Sequence, residues 1–137
     1  MKSNLALLCR VLAAGILLQT LFFKFTGAEE SKFIFNSLGI EPWGRWFAGS
    51  SELVASLLLL VPATQFLGAL AGLGIMAGAI ASHLFVLGIV VQDDGGLLFG
   101  LACAVVVCCS AVVVIQREQI PIWLARAQKF IPVLSRS

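Results

Sequence analysis

Charged residues are scarce in this chain of 137 residues, where Asp, Glu, Lys and Arg together make up only 12%. An ordinary soluble domain has roughly 25%. Hydrophobic residues account for 60% of the chain, and the mean hydropathy is +1.03. Because a water-soluble surface would need about twice the charge that is present, a soluble globule is excluded. The chain is predicted to be an integral membrane protein.

Cysteine and basic residues are also few. The four cysteines lie in apolar runs without a C-x-x-C pair, which argues against a disulfide framework or a zinc site. No basic run is present and the net charge is only +2, so nucleic acid is excluded as a partner. No Gly-rich phosphate loop and no flavin, haem or metal ligands are evident. Little chain is left for a soluble catalytic domain, which favours an accessory role over an enzyme acting alone.

Four apolar stretches are long enough to cross a hydrocarbon core of ~30 Å as helices. They cover residues 5–25, 44–61, 66–90 and 96–115. The last three are joined by short turns, which place neighbouring spans antiparallel. The fold class predicted is therefore all-α: a single polytopic domain, residues 1–137, that forms an antiparallel four-transmembrane-helix bundle.

Two further helices are predicted outside the spans. Thr26 and Glu29 have the spacing of a capping box, and Gly39 would close a short interfacial helix over residues 27–38, across the outer mouth of the bundle. Residues 120–134 place apolar side chains on one face and Arg126 and Lys129 on the other, which is typical of an amphipathic interfacial helix. We expect this C-terminal helix to anchor the bundle at the cytoplasmic surface, with docking to a partner as the alternative.

The distribution of Lys and Arg predicts the orientation. The two ends and the second turn carry six of them, and the first and third connections carry Lys24, Lys32 and Arg45. By the positive-inside rule both termini face the cytoplasm of a multi-pass protein of the cell membrane, the inner membrane in a bacterium. Arg10, in the cytoplasmic half, is expected to extend to the lipid head groups as an anchor.

Ionisable residues inside the spans are the main functional signal, since each costs roughly 2.5 to 3.5 kcal/mol on insertion scales. Glu52 in the second span and His83 in the third lie about 10 and 12 Å below the outer surface. In the first span Lys24 lies at the outer end and Gln19 about one and a half turns deeper, so that four polar side chains converge in the outer half of the bundle. We predict a ligand-binding site of Glu52, His83, Lys24 and Gln19, with rim or supporting residues Arg45, Ser51, Ser82 and Asp93.

A Glu52–His83 pair would share or relay a proton, or bind the head group of a ligand. The alternative is structural: Glu52 pairs with Arg45 or Lys24, and His83 hydrogen-bonds a backbone carbonyl between helices. Asp93 and Asp94 are predicted to form an outer turn that caps the fourth helix or contacts the rim of the site.

Glycines in the third span have the spacing that permits close helix contact, Gly68 with Gly72 and Gly74 with Gly78. Contact within the bundle is favoured slightly over contact between protomers, and a homo-oligomer is the alternative.

Several short motifs together resemble the DoxX-like family of small four-helix membrane proteins. They are Phe23-Lys24-Phe-Thr-Gly27, Pro42-Trp43-Gly44-Arg45, Glu52-Leu53, Val61-Pro62 and Ala81-Ser-His83-Leu84. The resemblance covers about residues 10–117, and Lys24, Glu52 and His83 are also similar to the pattern of the nicotinic acetylcholine receptor chaperone. It implies a membrane subunit of a quinone-linked oxidoreductase, a partner of redox enzymes, or an assembly factor. Related reductases have a C-x-x-C that this chain lacks, which argues against thiol-disulfide chemistry.

Two functions follow as expectations. One is an accessory or redox-associated subunit with an outer-half pocket for a lipophilic small molecule such as a quinone or a lipid. The other is a chaperone-like assembly factor or scaffold whose polar cluster is structural. A proton or solute pathway is less favoured, because the cytoplasmic half offers only Arg10 and a channel needs polar groups along its whole length.

Overall fold

The computed structural model of the protein describes residues 2–92 and 94–117, and within these ranges it is helical without strands. The helices are α1 (Lys2–Thr26), α2 (Glu29–Ser37), α3 (Trp43–Leu60), α4 (Gln65–Ser82) and α5 (Leu97–Ile115). A π-helical turn, His83–Leu87, directly continues α4. Asp93 and the predicted helix over residues 120–134 lie outside the described residues.

Three of the described helices are long and apolar enough to span a membrane: Asn4–Thr26, Gln65–Leu87 and Leu97–Ile115. Large apolar side chains cover the outside of the structure; Phe47 is 71% exposed and Phe85 is 84% exposed. Such a surface suits lipid rather than water. Helix α3 coincides with the predicted span at residues 44–61, but it carries Arg45 and Glu52 and is not one of the three.

The four long helices contact one another in a ring, with α1 and α4 each packed against both α3 and α5. Neighbours run antiparallel, because Arg10 near the start of α1 reaches Leu60 at the end of α3, and Gly72 early in α4 faces Cys109 late in α5. Small side chains let the helices approach closely at the centre. The fully buried core residues include Ala13, Leu17, Ala55, Leu59, Ala69, Val105, Cys109 and Val112.

Glycines with positive φ end α1 and α2. Gly27 and Gly39 have φ of +70° and +75°, and the residue after each donates its N–H to a carbonyl five positions back, as in a Schellman motif. Gly39 therefore closes α2 as predicted. The capping box is wrong: Thr26 belongs to the last turn of α1, its hydroxyl donates to the carbonyl of Phe22, and Ala28 is the N-cap of α2 without a side-chain bond.

The four glycines of α4 divide into two pairs with different surroundings. A Cβ at Gly68 would lie 2.5 Å from the backbone nitrogen of Leu59, and one at Gly72 would lie 2.8 Å from Cys109 Sγ. The first pair thus serves contact within the bundle, as favoured from the sequence. A Cβ at Gly74 or Gly78 would meet nothing within 4 Å. At these two positions in the C-terminal half of α4, no neighbouring helix packs closely against the glycine.

Gly68→Ala is expected to lower the free energy of unfolding by about 1–3 kcal/mol, because the new methyl group meets backbone atoms of α3 that cannot turn away. Gly78→Ala, in open space on the same helix, is expected to be neutral or stabilising by up to about 1 kcal/mol. Thermal unfolding in detergent measures both. Equal stability of the two variants would contradict the close contact of α4 with α3.

Candidate functional site

A cavity of about 540 Å³ lies in one half of the structure, within the range of roughly 300 to 1,000 Å³ that is typical of ligand pockets. Its walls are the C-terminal halves of α1 and α4 and the N-terminal halves of α3 and α5, and residues of α2 line it as well. Most of the lining is apolar and includes aromatic side chains. These are Phe23, Phe35, Trp43 and Phe47.

The four residues predicted from the sequence to bind a ligand, Lys24, Gln19, Glu52 and His83, all line this cavity. Ser51 and Ser82 line it too, whereas Arg45 lies behind the wall and Asp93 is outside the described residues. The equal depth of Glu52 and His83 on separate helices therefore correctly predicted that both side chains lie at one cavity. Binding of a ligand by these residues stays a prediction.

Glu52 is held by an ion pair from α1. Lys24 Nζ lies 3.0 Å from Glu52 Oε2, and the hydroxyl of Thr20 lies 3.0 Å from the same oxygen. Only 5% of the Glu52 side chain and 15% of the Lys24 side chain are exposed. The pair joins α1 to α3 and places a charged, hydrogen-bonded group on the wall of a mostly apolar cavity.

The predicted pair of Glu52 with His83 is not formed. His83 Nδ1 lies 2.9 Å from the carbonyl oxygen of Gly88, while the Gly88 N–H donates to the carbonyl of His83 at 2.7 Å. Gly88 has φ of +80° and ψ of 171°, a conformation that glycine adopts readily and other residues do not. The π-helical turn and this glycine thus hold the imidazole from its own segment: the partner is a backbone carbonyl, as in the structural alternative, but it does not come from another helix.

Arg45 is buried and supports Lys24 from behind. Its Nε donates to both carboxylate oxygens of Glu41, at 2.8 and 3.1 Å, and its Nη1 donates to the backbone carbonyl of Lys24. A cation at the C-terminal end of α1 is favoured by the helix dipole. Arg45 therefore ties the start of α3 to the end of α1, next to the ion pair of Lys24 and Glu52.

Ser51 and Ser82 have their hydroxyl groups turned back onto their own helices. Ser51 donates to the carbonyl of Phe47 at 2.9 Å, and Ser82 donates to that of Gly78 at 2.8 Å. Each hydroxyl oxygen keeps lone pairs that can accept a further hydrogen bond. These serines can serve a polar ligand as acceptors.

Asp94 caps the turn before α5 and also lines the cavity. Its carboxylate accepts backbone N–H bonds from Val91 at 3.0 Å, Gly96 at 2.8 Å and Leu98 at 3.2 Å. Burial raises the pKa of the carboxyl, but these three bonds and the nearby His83 lower it more, so the pKa lies below the usual 3.8. Both roles proposed for the Asp93–Asp94 turn are thus met by Asp94.

Several residues line the cavity and are nevertheless exposed, which marks where the cavity opens. On the side of α3 and α4 they are Trp43, Phe47, Gly74 and Gly78, and on the side of α1 and α5 they are Gln19, Phe23 and Leu97. A lipophilic molecule can therefore reach the cavity sideways, between helices.

Two residues that support the site were missed by sequence reasoning, and a third, outside the site, was misplaced. Thr20 lies one helical turn before Lys24, and this spacing would have found it. Gly88 had no signal apart from its place at the end of an apolar run. Arg10, expected among lipid head groups, is instead 8% exposed and donates to Gln65 Oε1 and the Leu60 carbonyl in the other half of the structure.

Comparison of the chain with protein-family models, curated proteins and solved structures gives no match. The resemblance to the DoxX-like family therefore stays a prediction that rests on the motifs quoted above. Within residues 2–92 and 94–117, no group of three His, Cys, Asp or Glu side chains is placed to hold a metal ion.

Glu52→Gln is expected to lower the free energy of unfolding by about 3 kcal/mol, because it leaves the Lys24 ammonium without its counter-charge in a largely buried position. The double variant Lys24→Met/Glu52→Gln should lose at least about 1 kcal/mol less than the sum of the single variants. Glu29→Gln, on the exposed side of α2, is the matched control. Strictly additive losses in thermal unfolding would contradict the pair.

Acid is expected to destabilise the protein in part through Asp94. Since its folded pKa is lowered, Asp94 stabilises the fold above its unfolded pKa of about 4, and this contribution is lost as the pH falls through the folded pKa. The melting temperature of wild type should therefore fall more steeply than that of Asp94→Asn between about pH 5 and pH 2.5. Parallel curves would show that the three backbone bonds do not favour the carboxylate.

Proposed function

We propose that this chain is a DoxX-like integral membrane protein that acts as an accessory or redox-associated subunit, and that its cavity binds a lipophilic small molecule such as a quinone or a lipid. One observation carries the proposal. A cavity of about 540 Å³, mostly apolar, has the Lys24–Glu52 ion pair and His83 on one continuous lining. An apolar pocket with a few convergent polar groups is the usual form of a small-molecule site.

The proposed topology has four spans, with α3 as the fourth. Its 18 residues rise about 27 Å, close to a hydrocarbon core of ~30 Å. Its two charged residues are paired with Glu41 and Lys24, which lowers the cost of placing them in a membrane. We place both termini in the cytoplasm, the cavity in the outer half of the cell membrane, and α2 across its mouth as an interfacial helix, as the distribution of Lys and Arg favours.

The second candidate function is a membrane-protein assembly factor or scaffold. It is supported by the way in which the charged groups satisfy one another: Lys24 with Glu52, and Arg45 with Glu41. A cluster of this kind fixes the register of helices without any ligand. In that case the exposed apolar faces of the helices would recognise the membrane spans of a partner protein.

Native mass spectrometry of the protein gently extracted from its host membrane tests these two functions, with the released small molecules identified. Wild type is compared with Gly78→Phe, which adds a ring at an open position on the cavity lining. The matched control is Gly15→Phe, at an open and exposed position of α1 that does not line the cavity.

A defined lipophilic molecule at near one-to-one in wild type and Gly15→Phe, and lost in Gly78→Phe, is the expected result. It would also name the ligand class. Bulk phospholipid alone, equal in all three proteins, would contradict the binding function and favour the scaffold.

A further inference from the structure

The hydrogen bond of His83 to Gly88 decides which ring nitrogen carries the proton. A backbone carbonyl only accepts hydrogen bonds, so at 2.9 Å from the Gly88 oxygen Nδ1 must be the protonated nitrogen. In the neutral imidazole the other nitrogen, Nε2, then has a free lone pair and is an acceptor. The backbone of the π-helical turn thus selects one tautomer.

Nε2 itself has no hydrogen-bond partner among the described residues. His83 as a whole is only 6% exposed. Within residues 2–92 and 94–117, however, the fully buried side-chain nitrogen or oxygen atom without a hydrogen-bond partner is Arg10 Nε, and His83 Nε2 is not fully buried. Nε2 therefore keeps access to open space, and His83 lines the cavity. A buried acceptor that faces a cavity without a partner is favourable only when a donor fills it.

Aromatic side chains beside His83 and elsewhere on the cavity lining favour a ligand whose hydroxyl group is carried by a flat ring. The imidazole packs edge-to-face on Phe99 with ring centroids 5.6 Å apart, and Phe23, Phe35 and Trp43 line the same cavity. The nearby carboxylate of Asp94 is occupied by three backbone N–H groups and offers no proton to Nε2.

We propose that His83 Nε2 accepts a hydrogen bond from the ring hydroxyl of a phenol-type or hydroquinone-type lipid, so that the cavity prefers a hydroxyl donor over the corresponding carbonyl or ether. This inference rests on the proposed function, because it names the chemistry of the molecule that the cavity binds. For a quinone pair, it means that the reduced form binds more tightly than the oxidised form, whose carbonyl oxygen offers no proton.

Binding of 4-decylphenol and its methyl ether, 4-decylanisole, to the purified protein at pH 8 tests the proposal. Wild type is expected to bind the phenol about fivefold to tenfold more tightly, the effect of one hydrogen bond in an apolar site. In His83→Asn the amide nitrogen can replace Nδ1 as the donor to Gly88, and the amide oxygen is one bond nearer the backbone than Nε2 and does not reach its position. The preference for the phenol should disappear in this variant while the affinity for the ether is kept.

Equal affinity of wild type for the two probes, or a preference that survives in His83→Asn, would overturn the hydroxyl preference and leave the proposed function standing. Binding of neither probe would overturn both. A second measurement does not depend on a variant: the chain has a single histidine, so ¹⁵N-histidine labelling reports His83 alone. A proton on Nδ1, and an Nε2 resonance that moves with the phenol but not with the ether, is expected; a proton on Nε2 would overturn the proposal.

Discussion

Charge that enters an apolar bundle must be paired, and this constraint shapes the half of the structure that holds the cavity. Glu52 on α3 is satisfied by Lys24 and Thr20 on α1, and Arg45, about two turns before Glu52 on α3, binds the end of α1 through the carbonyl of Lys24. These contacts set the register of α3 against α1. They also neutralise the charges of Lys24 and Glu52 on the α1–α3 side of a lining that is mostly apolar.

The cavity exists because the two halves of α4 meet their neighbours differently. Gly68 and Gly72 allow close contact with α3 and α5, which packs the half of the structure that contains Arg10. Beyond Gly74 the helices leave room, and α2 covers the end with Ser31 and Phe35. The π-helical turn at His83 then directs an imidazole to the lining and uses Gly88 to hold it. A site able to take a flat lipophilic molecule follows from small residues in one half and a local backbone irregularity in the other.

The sequence predicted the described helices to within a few residues, because long apolar runs and their turns are strong signals. Depth was also predictable from the rise per residue, and it correctly brought Glu52 and His83 to one cavity. The hydrogen-bond and ion-pair partners of these side chains were not predictable, because the direction in which a side chain points depends on the rotation of its helix and on the neighbouring helices. The predicted Glu52–His83 pair was therefore wrong, and Thr20 was missed. The capping box failed for a local reason, since the left-handed Gly27 ends α1 after Thr26. Arg10 was misplaced because nothing in the sequence pattern shows that Gln65 and the Leu60 carbonyl lie within hydrogen-bond distance of it.

The ion pair on the cavity wall is the claim on which the site depends, and a nitrogen-to-carbon dipolar measurement in lipid bilayers tests it most directly. The protein would carry ¹⁵N at lysine Nζ and ¹³C at the glutamate carboxyl carbons. A direct contact is expected, in keeping with 3.0 Å between Lys24 Nζ and Glu52 Oε2, and it should vanish in Glu52→Gln but persist in Glu41→Gln, whose carboxylate serves Arg45. A lysine signal without a carboxylate neighbour, or a contact that survives Glu52→Gln, would contradict the structure of the site.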